Sequence, residues 1–374
     1  MIKVCHMTSV HAPEDGRIFF KECTSLANAG YETYLVERGA TYDKNGVHIV
    51  GVGDFQGNRL QRMLTLTKRV YETALKINAE IYHIHDPELL PYALKLKKKG
   101  KKVIFDSHEY YSDQIRNKPY LPKSISTIIA CIYKLYENYV CKRIDAVIFP
   151  CLKNGIHPFQ GKCKRVITLN NVPMLGELYD HYDPKIEKYP NSICYIGGLT
   201  ENRGITEVIK AAYLSNTIAY IAGIFSPVEY QIKIESMPES SSMRYLGNLD
   251  RKQVLELLQR CKIGLATLHN VGQYNQFDNL ATKCYEYMAL GIPVILTKAK
   301  YNEKINEIYK IGLCVDAENE HEIADAIRYL LDHEEEAKKM GENGRKAIRE
   351  VFNWEKEKDS LLNLYINLRS NSIG

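Results

Sequence analysis

The chain has 374 residues, more than one ordinary domain, and its 45% hydrophobic and 25% charged residues, with 23 Gly and 13 Pro, exclude disordered, collagen-like and disulfide-knotted classes. Apolar runs such as 125–133 fall short of the roughly 20 residues that a bilayer requires. Met1–His6 reads straight into a strand without a secretory apolar stretch, and the ten Cys form no C-x-x-C pair, so a cytoplasmic protein with reduced thiols is expected.

Short β-branched or aromatic runs alternate with longer helical periodicities, which predicts parallel βα units. In the first half the strands are expected at 2–8, 32–36, 47–52, 81–84, 102–106, 146–149 and 166–169, with helices at 18–29, 60–78, 88–99 and 124–141. A turn-rich passage over 170–190, containing Pro173, Pro184 and Pro190, reads as an interdomain linker, its bounds set at 174–190. The alternation then restarts, with strands at 192–196, 218–222, 243–246, 262–267, 293–296 and 313–315. Helices are expected at 203–214, 251–261, 282–290 and 320–332, followed by two long polar ones near 334–350 and 354–369. The predicted architecture is two doubly wound α/β domains, 1–173 and 191–353, with a cleft between them. Ligands of such sheets bind at the carboxyl ends of the strands.

Charge divides along the same line. Residues 1–175 carry 26 Lys and Arg against 16 Asp and Glu, the remainder 24 against 29, within a net charge of +5. The basic half suits an anionic membrane surface. A nucleic-acid partner is not expected, because no recognisable binding module accompanies the basic residues. The basic positions Arg59, Arg62, Lys68, Arg69 and 95–102 also read as solvated helical faces. The apolar stripe Ile125, Ile128, Ile129, Ile132, Leu135, Tyr136 and Tyr139 has helical spacing, for which core packing is preferred over membrane contact.

The loops after strands hold the candidate chemistry. Gly16, in Thr8–Arg17, allows close backbone approach, and the following helix start offers amides to an anion; a plain loop with a charged tip is the alternative. His83, His85 and Asp86 form a polar loop start, either facing substrate or satisfied structurally. No third ligand at a recognisable spacing supports a metal there. His108, in Asp106–Glu109, could hydrogen-bond a hydroxyl or phosphate and move a proton, beside a helix-capping role for Ser107.

In the second half Gly197 and Gly198 follow a strand, and Arg203 offers a planar donor fork to a diphosphate. Lys283 and Glu286, three apart, share a helical face, where the carboxylate could accept from the cis hydroxyls of a ribose. A solvated surface ion pair between them is the alternative.

With these residues in view, the sequence resembles the large retaining glycosyltransferase family four, group 1, of GT-B fold. The most specific stretch is Tyr285–Ile295, similar to the family's E-Y/A-M-A-x-G-x-P-V-I signature. Tyr195–Gly204, Asp106–Glu109, Asn171-Val172-Pro173 and Phe352-Asn353-Trp354 support it, and in the family the last helix, here 354–374, crosses back to complete the N-terminal domain.

The resemblance implies sugar transfer from a nucleotide-diphosphate sugar, UDP being the commonest, to a glycan or polyprenyl-diphosphate-linked acceptor in cell-surface polysaccharide assembly. It implies no cofactor and no metal. On it, Glu286 holds the ribose, Asp278 replaces the glutamate that faces the donor sugar, Arg203 binds phosphate, His108 lies near sugar and phosphate, and Gly16 is the first-loop glycine. His85 and Asp86 fall on the acceptor side. The family's G-R-L is Gly197-Gly198-Leu199 here, so one cation is missing, for which Lys283 is expected to compensate. A nucleotide-sugar epimerase or phosphorylase on the same fold, or a degenerate binding scaffold, are the alternatives.

Overall fold

The computed structural model describes residues 1–116, 122–271 and 274–370. The chain forms two compact units, Met1–Asn171 with Lys356–Gly374, and Val172–Glu355. Each is built around one sheet.

In the first unit the strands are β1 (Lys3–Met7), β2 (Glu32–Glu37), β3 (Tyr42–Lys44), β4 (Val47–Gly51), β5 (Ile81–Ile84), β6 (Lys102–Asp106), β7 (Ala146–Phe149) and β8 (Val166–Thr168). They lie in the order β3-β4-β2-β1-β5-β6-β7-β8, and only the β3–β4 pair is antiparallel. β5 and β7 are buried along their whole length, as strands covered by helices on both faces must be. The chain leaves β1 toward β2 and later returns to β5 on the other side of β1. That reversal opens a ligand position at the carboxyl ends of β1 and β5.

The second unit contains β9 (Ser192–Ile196), β10 (Ile218–Ala222), β11 (Met243–Tyr245), β12 (Ile263–Ala266), β13 (Val294–Thr297) and β14 (Gly312–Val315), in the order β11-β10-β9-β12-β13-β14. Period-two alternation sends Ile193 and Tyr195 of β9 into one core layer and Cys194 and Ile196 into the other. Here the reversal falls between β9 and β12.

Several expectations change. Residues 174–190, read as a linker, group with the second unit: Leu178 is fully buried and Tyr189 stacks on Tyr220 at 4.9 Å. Pro and charge dominate that passage, but its apolar anchors decide its place. The sequence reading also omits β3 and the helices Tyr111–Arg116, Val228–Glu235 and Lys300–Tyr309. Lys300–Tyr309 buries only Asn302 and Ile305, too few for a visible stripe.

The largest correction concerns the helix Lys123–Cys141. Its apolar stripe, expected in the core, faces out: Ile128 is 60% exposed, Ile132 62% and Leu135 71%. The buried face consists of Ser126, Ala130, Glu137, Val140 and Cys141. Small residues let this helix lie close to its neighbours, so the large aliphatic side chains point away. All ten Cys carry free thiols. Among the described residues no helix is long and apolar enough to cross a membrane.

Candidate functional site

In the second unit, Gly197 leaves β9 at φ +121°, a conformation open to glycine. A Cβ at Gly197 would lie 3.3 Å from Arg203 Nη1 and 3.7 Å from Lys283 Cε, so both cationic side chains press on this backbone. At Gly223, after β10, a Cβ would strike the Gly197 carbonyl oxygen at 1.8 Å. Only glycine permits that crossing.

Arg203 closes a short 3-10 turn, Glu201–Arg203, and its Nε donates to the Tyr274 hydroxyl at 3.0 Å. Lys283 belongs to the first turn of the helix Thr282–Ala289. It is buried, and its Nζ lies 3.4 Å from the centre of the Tyr195 ring with no hydrogen-bond partner. Burial, with the Arg203 guanidinium adding to it, holds its pKa well below the ordinary lysine range. The surface-pair alternative for Lys283 and Glu286 is thereby excluded.

Glu286, one turn on, pairs instead with Arg251, its Oε1 2.6 Å from Nη1. Arg251 Nη2 also reaches Glu177 at 3.3 Å. Arg251 opens the helix Arg251–Arg260, which Asp250 and Gln253 cap reciprocally. Gly197, Gly198, Gly223, Asn248, Arg251 and Glu286 line a cleft of about 330 Å³ at the carboxyl ends of β9 and β10. Asp278 is half-buried in the loop before Thr282–Ala289 and does not line this cleft.

In the first unit the loops after β1, β5 and β6 converge. Asp86, fully buried, accepts from the amides of Ser9 and Val10 and from the Thr8 hydroxyl at 3.1 Å. His108 Nε2 lies 3.1 Å from His85 Nδ1 and 3.4 Å from Asp106 Oδ2, and the His108 and His11 rings are 4.6 Å apart. Arg17 grips Asp106 with two nitrogens and lies 3.0 Å from Glu22. Despite its burial, Asp106 is held well below the usual carboxylate range by Arg17 first and His108 next.

Gly16 begins the helix Gly16–Cys23, but the amides of Arg17 and Ile18 bond to the Asp15 side chain. This corrects the expectation of a free anion-binding helix start: an intrinsic carboxylate already caps it. Space around Gly16 remains open, as nothing would meet a Cβ there within 4 Å.

Two donor sets are close enough to suggest a metal, His6, Glu22, His83 and His85, and His85, Asp106 and His108, the atoms of each lying within 4.8 Å. Hydrogen bonds already take up both ring nitrogens of His6 and His85. In the first set only His83 Nε2 and the Glu22 carboxylate lack one.

The sequence-predicted residues thus gather as two groups, each within its own unit: His85, Asp86 and His108 in the first, and Gly197, Gly198, Arg203, Lys283 and Glu286 in the second. Sequence reasoning missed Arg251, Arg17, Glu22, His6 and Tyr365. For Arg251 the capping box Asp250-x-x-Gln253 marks the helix start; nothing in the sequence marks its partner.

These features define a two-unit α/β protein with a polar, glycine-lined cleft at the carboxyl ends of β9 and β10. The family model described as Glycosyltransferase Family 4 matches residues 16–153, and that for Glycosyl transferases group 1 matches residues 180–347, together most of the chain. The chain belongs to these glycosyltransferases, and its fold is GT-B. Spore coat protein SA of Bacillus subtilis is 32% identical over 89 residues, 24% of each chain, so that match spans about a quarter of the relative. An uncharacterized glycosyltransferase of Methanocaldococcus jannaschii is 20% identical over 288 residues, 70% of this chain and 67% of that one.

Solved structures share the fold at low identity. A sucrose-phosphate synthase of Thermosynechococcus elongatus has a TM-score of 0.79 at 12% identity, covering 99% of this chain and 100% of that one. Anabaena HepE in complex with UDP-glucose gives 0.68 at 11%, covering 99% and 100%. WaaG, a glycosyltransferase involved in lipopolysaccharide biosynthesis, gives 0.68 at 13%, covering 96% and 98%.

Proposed function

We propose that this protein is a retaining, metal-independent glycosyltransferase that moves a sugar from a UDP-sugar to a hydroxyl of a glycan or polyprenyl-diphosphate-linked acceptor, in cell-surface polysaccharide assembly. One observation carries the reading: Arg203 and the unpartnered Lys283 converge on the glycine backbone at the end of β9. Departure of the sugar leaves negative charge on the diphosphate. Arg203, and Lys283 once the diphosphate raises its pKa, stabilise that charge, the part that a divalent ion plays elsewhere.

In the adjoining cleft Glu286, oriented by Arg251, accepts from the ribose hydroxyls. Asp278 of the second unit and His108 of the first are the residues whose match to the family's pattern suggests a role toward the sugar. UDP as the nucleotide is supported by the likeness to HepE, described with UDP-glucose bound, and the cell-surface role by the likeness to WaaG. On the acceptor side, His85 and Asp86 lie at the carboxyl end of β5. The exposed aliphatic stripe of Lys123–Cys141, with Lys123, Lys134, Lys142 and Arg143 on the same helix or just past it, suits an anionic membrane surface that presents the lipid-linked acceptor.

The test is Glu286→Ala with UDP-glucose. Loss of charge-assisted hydrogen bonds worth about 1.5–3 kcal/mol predicts binding roughly 10- to 150-fold weaker by calorimetry. Unchanged binding and turnover would reject the donor site.

A further inference from the structure

Four histidines and one tyrosine of the first unit form an unbroken hydrogen-bonded chain that ends at His108. The Tyr365 hydroxyl, on the last helix (Trp354–Ser370), is 2.9 Å from His83 Nδ1 and 3.2 Å from His6 Nε2. His6 Nδ1 is 2.9 Å from His85 Nε2, and His85 Nδ1 is 3.1 Å from His108 Nε2. His6, His83, His85 and Tyr365 are all fully buried. Burial drives the three histidines toward the neutral form, His85 down to about 4.

A neutral imidazole carries one N–H, so the direction of each link fixes the next. Two arrays are possible, and the group at the outer end chooses between them. At the outer end Asp106 is an ionised acceptor 3.4 Å from His108 Nε2 and 3.7 Å from His85 Nδ1, which favours the proton on His108 Nε2. At the inner end His83 Nε2 lies 3.8 Å from Glu22 Oε2, too far for a hydrogen bond, so His83 takes the tautomer that the rest of the chain leaves it. Its bare Nδ1 then accepts from the Tyr365 hydroxyl. Tyr365 accepts in turn from His6 Nε2–H, His6 Nδ1 from His85 Nε2–H, and His85 Nδ1 from His108 Nε2–H. The outer end selects this array.

We propose that Tyr365, acting through His6 and His85, is a positioning residue that holds His108 with Nε2 protonated and Nδ1 bare, so that His108 meets its ligand as an acceptor, matched to a sugar hydroxyl and not to a phosphate oxygen. The groups around His108 are His85, Asp106 and the His11 ring, with Arg17 behind Asp106. The ligand class rests on the role proposed above for His108; the tautomer does not.

The experiment therefore needs no substrate. Two-bond ¹H–¹⁵N spectra of the full chain labelled at histidine read each tautomer directly. The wild type is expected to show His108 with a protonated Nε2 and a pyridine-like Nδ1. Tyr365→Phe removes the hydroxyl from both His83 and His6, and the Nδ1 and Nε2 signals of His85 and His108 then converge as tautomers mix. His6→Asn cuts the chain at its second link and should give the same convergence at His108, which covers the case in which Tyr365→Phe does not fold. A protonated Nδ1 on wild-type His108, or an unchanged His108 pattern in a folded variant, overturns the proposal. So does Zn²⁺ added to the wild type shifting His6, His83 and His85 together, because a metal there displaces the proton of His83 Nε2.

Discussion

Lys283→Met separates two consequences of one buried amine. Lys283 is buried, and its Nζ has no hydrogen-bond partner and lies against the Tyr195 ring. Leaving a buried donor unsatisfied costs about 1–3 kcal/mol, and methionine fills nearly the same space without a donor. The variant should therefore be more stable, by about 2–4 °C in Tm for each kcal/mol gained in a unit of this size. UDP binding should move the other way, weakening roughly 10- to 150-fold with the loss of one charge-assisted bond of about 1.5–3 kcal/mol.

A proton marks the same event. Desolvation holds the pKa of Lys283 low, and a bound diphosphate would raise it. Between the free and bound values each UDP takes up one proton. Affinity is then full below the free pKa and falls as pH rises through the window toward the bound one. Calorimetry in two buffers of different ionisation enthalpy reads the uptake, and thermal unfolding reads the stability. A variant that melts lower and binds UDP as tightly as the wild type, with no proton uptake in either, refutes the assignment of Lys283 to the diphosphate.

Two further outcomes follow from the first unit. Glu137 is buried and accepts from the Tyr133 hydroxyl at 2.7 Å, and desolvation pushes its pKa up to about 7 against 4.5 for the free side chain. The folded state holds the proton more tightly, so stability from this group is present below pH 4.5 and is lost as pH rises through about 7, a change of order 3 kcal/mol. Glu137→Gln should flatten the pH dependence of urea unfolding over that range by this share; an unaltered slope contradicts the burial argument. Ile132→Glu with Leu135→Glu should leave folding stability within about 0.5 kcal/mol, because both side chains are exposed. It should also abolish co-sedimentation with phosphatidylglycerol vesicles, and equal co-sedimentation would remove the membrane role from this helix.

What the sequence revealed depended on the range over which each feature is determined. Strands such as 81–84 and 102–106 coincide with their predicted bounds because a run buried on both faces announces itself locally. The proposed donor site was legible for a similar reason: Gly197, Arg203, Lys283 and Glu286 occur in two short stretches, each a strand-to-helix or loop-to-helix transition. The helix Lys123–Cys141 failed because periodicity gives the apolar face without saying whether anything covers it. Whether the large or the small residues turn inward is settled by the distance to the neighbouring elements, to which a single stretch of sequence is blind.

The histidine chain lies further still from local reading. His6 and His83 meet because β1 and β5 are paired in register, although 77 positions separate them, and Tyr365 reaches them from the far end of the chain. Taken one at a time, each is an ordinary buried histidine with a satisfied nitrogen. Only when all the links are counted does the single proton per ring become a constraint. That constraint is what makes the tautomer of His108 depend on a residue 257 positions away, and it is why a conservative loss of one hydroxyl at Tyr365 should be felt at a ring that it never touches.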